Sequence, residues 1–181
     1  DSLGQSQAAV SMVAQKAATL VNPSLSDIDV VLPNPPQFAD RIVFISDSMI
    51  FRQCSTCGDQ TSFPAGELMN AVTRLYGPSA GDQIQASRMH AYSFDNLRVL
   101  LEKGTGVESV QTDLGSADWI IFIFTESGKR QYEKEIYQRM FTERPDLTRN
   151  KKIIGFSMNA PYYFDATDIS KFTAYYALFS K

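Results

Sequence analysis

Glu126 and Asp47 are the carboxylates whose positions in the chain most suit acid–base chemistry. Glu126 comes just after the apolar run Trp119 to Phe124, and Asp47, followed by Ser48, closes the apolar run 42–46. Functional groups in α/β proteins gather at such strand ends. A small enzyme using both carboxylates needs them to converge in one cleft; otherwise each reads as an ordinary loop carboxylate or helix cap. A phosphate site at Asp47 and Ser48 is not expected, because no glycine-rich turn runs there directly into a helix. Ser46, Ser87 and Ser157 lack the Gly-x-Ser-x-Gly context of an α/β-hydrolase nucleophile. His90 is the only histidine and has no partner at a recognisable spacing. Asn159, Tyr162 and Tyr163 make a polar, aromatic loop that could stack on a sugar ring, although turn packing explains them equally well.

The two cysteines, Cys54 and Cys57, form one Cys-x-x-Cys. A zinc site takes about four ligands, and a single histidine cannot complete the set. A thioredoxin-like pair sits at a helix N-terminus, where the dipole lowers the thiol pKa. Here the polar stretch 58–64 separates the cysteines from the next helical segment. They read as a loop thiol pair, open to oxidation, and neither a metal nor a cofactor is expected.

These residues depend on three apolar strands for their placement. Ala117 to Phe124 is rich in β-branched and aromatic residues, as are 41–46 and 152–157. Short, continuous apolar runs of this kind suit strands buried on both faces of a parallel sheet. Helical patterns lie between them. One follows Pro64, carries Leu68, Met69, Val72, Leu75 and Tyr76 on one face and stops before Gly77-Pro78. A second is capped by Ser93 and closed by Gly104, and a shorter one spans Val107 to Gly115. The helix from Gly128 to Glu143 turns Tyr132, Ile136, Met140 and Phe141 to the sheet and a charged Lys/Arg/Glu face to solvent. Residues 4–18 have helical spacing, 19–22 are extended, 27–33 and 83–88 have strand character, and a last strand covers 172–179. The expected fold is a three-layer α/β/α sandwich with a mostly parallel sheet of five or six strands. Residues 1–40 read as an N-terminal helix and linking arm outside the central sheet, and 41–181 as the sandwich.

At 181 residues, 44% hydrophobic and 20% charged, the chain matches one domain with a sizeable core. Its net charge of −3 and pI near 5.2 argue against nucleic acid as a partner. No apolar run approaches the roughly 18 residues of a membrane span, and the first residues lack the basic and apolar regions of a signal peptide.

Three segments together resemble the C-terminal α/β domain of glycoside hydrolase family 3, especially its β-N-acetylglucosaminidase branch. They are Ala117-Asp118 with the strand, loop and helix that follow; Lys151 to Tyr162, similar to that family's strand ending in Asn-Pro-Tyr; and Ile169 to Tyr176, similar to its closing strand. The opening, a helix followed by Thr19-Leu20-Val21-Asn22 and an acidic stretch reaching Pro33, also fits. Ala160 departs from the pattern by separating Asn159 from Pro161, and the loop holding the cysteines is unusual. The resemblance implies a domain that packs on a (β/α)8 barrel of the same chain, which carries the catalytic aspartate and takes about 250 residues. It also implies a carbohydrate partner, with Asn159 and Tyr162 as candidates to border the sugar. Glycoside hydrolysis uses two carboxylates roughly 5 to 9 Å apart. In the β-glucosidase branch a glutamate near position 126 can serve as the acid, whereas in the acetylglucosaminidase branch the barrel supplies it. The competing expectation is a free-standing, flavodoxin-like binding or interaction domain without catalysis.

Overall fold

The three apolar runs form the middle of a six-stranded sheet. The computed structural model describes residues 12, 18–32, 34–47, 49–52, 54–58, 60–62, 65–104, 107–125, 130–158 and 163–178. The sheet contains β1 (Ala18–Asn22), β2 (Ile42–Ser46), β5 (Met89–Tyr92), β6 (Trp119–Phe124), β7 (Lys152–Ser157) and β8 (Ala174–Leu178) in the order β1-β8-β7-β6-β2-β5. Every pairing is parallel except β1 with β8. Taken in chain order, the five parallel strands are arranged 2-1-3-4-5, the flavodoxin-like order, whose topological switch point lies between its first and third strands. Here those strands are β2 and β6, paired from Ile42↔Trp119 to Ser46↔Ile123.

Helices cover both faces, as a three-layer sandwich requires. Alternate residues of each strand point to opposite sides. Val43, Ile45, Ile120, Phe122, Phe124, Ile153 and Tyr175 form one core with α3 (Phe94–Lys103), α4 (Glu108–Ser116) and α5 (Arg130–Glu143). Ile42, Phe44, Trp119, Ile154 and Ala174 form the other, against Leu68, Met69 and Val72 of α2 (Ala65–Tyr76). The first core is dominated by aromatic rings. Phe124 meets Phe164 edge-on at 4.7 Å between centroids, and Tyr137 stacks on Phe172 at 4.7 Å, both favourable geometries. Gly155 admits these rings onto β7, since a Cβ there would lie 2.6 Å from Phe172 and 2.7 Å from Tyr175.

The ends of α3 follow directly from local sequence. The Ser93 hydroxyl accepts the Asn96 amide hydrogen while the Asn96 side chain accepts that of Ser93, and Gly104 closes the helix at a φ of +64°.

Four segments differ from expectation. Residues 18–22 are extended as expected but lie in the sheet, where β1 pairs with the edge strand β8. Residues 28–31, expected to be extended, form the single-turn helix α1 (Ile28–Val31), because Asp27 accepts the amides of Val30 and Val31. The strand expected at 83–88 is a 3-10 turn, Ala86–Arg88, and the strand itself is β5, which begins at Met89. The loop after β2 carries a short antiparallel pair, β3 (Met49–Phe51) with β4 (Gln60–Ser62). The helix expected at 4–18 falls outside the described residues apart from Met12 and Ala18.

A candidate site at the carboxyl ends of the parallel strands

The switch point places the ends of β2 and β6 side by side, and two buried carboxyl groups meet there. Asp47, directly after β2, is 4% exposed, and its Oδ1 accepts the backbone N–H of Phe94 at 3.0 Å in the first turn of α3. A carboxylate in this position complements the helix dipole. It is the capping role that sequence favoured for Asp47.

Glu133 is the second group. It projects from α5 and is fully buried. Its Oε2 accepts the backbone N–H of Thr125 at 3.1 Å and the Tyr163 phenol at 3.0 Å, while Oε1 takes the Thr125 hydroxyl at 3.0 Å. Thr125 is the first residue past β6, so Glu133 fixes the point where the chain leaves the strand. Burial pushes the Glu133 carboxyl up to about 7, and the Asp47 charge adds to this; hydrogen bonds from Tyr163 and Thr125 pull the other way. Near neutral pH the site therefore exchanges one proton. That proton is enclosed by protein, and the group's direct role is to position the strand end.

In the sequence the charged residues of α5 read together as a solvated face, which hides Glu133. The signal was its place on the apolar stripe, three, four and seven residues before Ile136, Tyr137 and Met140, all buried. Of the residues singled out from sequence, Glu126, Ser48, Asn159 and Tyr162 lie outside the described residues. Their neighbours are described: Thr125 and Ser157 are buried at the same edge of the sheet as Asp47. Tyr163 is buried beneath that edge, with its ring against Phe124 and its hydroxyl on Glu133.

Cys54 and Cys57 are joined as a disulfide in the segment between β3 and β4. His90 lies towards the other end of the sheet, opposite Val43, and its Nδ1 is 3.2 Å from Asp113 Oδ2. Among the described residues, no group of three or more His, Cys, Asp or Glu side chains is gathered as a metal ion would need, and no helix is long and apolar enough to cross a membrane.

The second core is less fully covered than the first. Beside α2 lie two apolar hollows that share Phe156. One, about 360 Å³, includes Leu68, Ile123 and Leu178; the other, about 570 Å³, includes Leu32, Pro35, Tyr76, Trp119 and Tyr176. The segments bordering the larger hollow leave Val30 87%, Phe38 45%, Leu75 58% and Tyr76 49% exposed.

Fold and site together define a doubly wound α/β domain with a buried carboxyl pair at its switch point. The sequence matches no protein-family model and no curated protein.

Proposed function

We propose that this chain is the accessory C-terminal α/β domain of a glycoside hydrolase family 3-type enzyme, acting on O-glycosyl bonds of β-N-acetylglucosaminide-like substrates. The domain packs on a (β/α)8 barrel of the same polypeptide, and Asn159 and Tyr162, which follow β7 in the chain, are its candidates to border the sugar. The observation that carries this reading is the apolar surface around the larger hollow. Leu32, Val72, Trp119, Ile121, Phe156 and Tyr176 line it together with Tyr76, itself 49% exposed, and a contiguous apolar surface of this kind marks a face that docks against another protein layer. The carboxyl pair agrees with it. Asp47 and Glu133 are buried and accept the backbone amides of Phe94 and Thr125, which suits a domain that shapes a site rather than supplying its acid and base.

The 2-1-3-4-5 strand order favours a second reading, a free-standing flavodoxin-like domain holding a ligand at the switch point. The two readings separate in one assay. The native protein, captured from its source cells with an antibody to this domain, is offered an aryl β-N-acetylglucosaminide and an aryl β-glucoside. Hydrolysis of either supports the accessory-domain reading, and inactivity towards both contradicts it.

A further inference from the structure

We infer that the amino-terminal edge of the sheet carries a binding site for a small oxyanion, a phosphate or carboxylate group. The site is a polar cavity of about 340 Å³ between the start of β2 and the 3-10 turn before β5, lined by Arg41, Gln85, Ser87, Arg88 and His90. Three of those five side chains can carry positive charge, and none of the lining residues among those described is acidic.

The basic groups are held in place. The Arg88 guanidinium donates from Nε to Gln85 Oε1 at 3.0 Å and from one terminal nitrogen to the Ala39 carbonyl at 3.1 Å, which orients its planar fork. His90 is fixed through Nδ1, 3.2 Å from Asp113 Oδ2. The same oxygen accepts the Tyr92 phenol at 2.5 Å. Burial, then the Asp113 contact, pushes that phenol up to about 12, so it remains a donor at neutral pH. With Nδ1 taken by Asp113, Nε2 is the ring nitrogen left for a ligand. Arg41 is exposed, and among the described residues its guanidinium has no hydrogen bond or ion pair. Asp118 accepts the Arg41 backbone amide at 2.9 Å, and the adjacent Asp40 accepts the Gln37 amide and the Trp119 indole N–H. Two guanidinium forks and an imidazole around one polar cavity match the paired oxygens of a phosphate or carboxylate, for which charge-assisted bonds are strongest.

A reporter is built in, because His90 is the only histidine of the chain. Its imidazole proton resonances are followed by NMR while inorganic phosphate, or separately glucuronate, is added to the 181-residue chain at fixed pH and ionic strength, with sodium chloride as the control. A saturable shift that chloride does not reproduce is expected with at least one of the two. Phosphate alone, or glucuronate alone, identifies which source of oxyanion the site takes. Arg41→Gln should weaken that binding by about tenfold or more, the scale of one charge-assisted contact, while Arg149→Gln, on an exposed turn after α5, should leave it unchanged. A shift that follows chloride, or equal affinity in Arg41→Gln, overturns the inference. Because Arg41 is exposed, its variant keeps the fold, and circular dichroism checks this directly.

Discussion

Replacing Glu133 by glutamine should raise stability in mild alkali and abolish a pH dependence that the native chain shows between about pH 4.5 and 7. The folded carboxyl is pushed up to about 7 from an ordinary 4.5, so across that window the folded state keeps a proton that the unfolded state releases. Stability therefore falls as pH rises through the window and levels off above it. The difference corresponds to about 3 kcal/mol at roughly 1.4 kcal/mol per pH unit. No discount for solvent screening applies, because Glu133 is fully buried. Glutamine mimics the neutral acid: its oxygen can accept from Thr125 N–H and Tyr163, as Oε2 does, while its amide donates to the Thr125 hydroxyl oxygen. Urea unfolding followed by the fluorescence of Trp119, the only tryptophan, gives the comparison. At pH 5 the two proteins should agree within about 1 kcal/mol, and at pH 8 the variant should be more stable by about 3 kcal/mol. Carboxylates held low in the fold act at more acid pH. Burial alone would raise Asp168, yet hydrogen bonds from Gln138, Lys134 and Lys171 hold it below the ordinary range. Its contribution is lost as pH falls below that range, so it does not mask the effect of Glu133. Native stability that is flat or rising from pH 5 to 8, or a variant that falls in parallel, would refute the reasoning.

Three further outcomes follow from single contacts. Gly155→Ala should destabilise by about 1–3 kcal/mol in urea unfolding, the cost of overpacking, since the added methyl meets Phe172 and Tyr175 at 2.6 and 2.7 Å. Ser93→Ala removes the hydroxyl that caps α3 and should cost about 1 kcal/mol. Tyr163→Phe deletes a donor to Glu133 and should move the Glu133 titration, read by the carboxyl stretch in infrared difference spectra, to still higher pH.

The central strands were legible because burial on both faces leaves a continuous apolar run, as in Trp119 to Phe124. The helix from Phe94 was legible because Ser93 and Gly104 mark its ends. Edge strands carry weaker signals. Met89-His90-Ala91-Tyr92 is half-buried beyond its first residue, and its main determinant is the parallel register with β2, a contact distant in sequence. Ala18–Asn22 likewise belongs to the sheet only through β8, more than 150 residues away. At 28–31, β-branched residues suggested a strand, but the Ser24–Asp27 turn and the Asp27 carbonyl impose one helical turn. The candidate site was half legible. Asp47 was named from its place at a strand end, whereas Glu133 was hidden by composition, since a glutamate among Lys, Arg and Glu neighbours reads as solvated unless its helical phase is counted.

The most direct test of the proposed function is the mass of the native polypeptide that carries this domain, measured on protein captured from its source cells. A chain longer than this one by at least a barrel, about 250 residues, is expected, and a native polypeptide of 181 residues would contradict the accessory-domain reading.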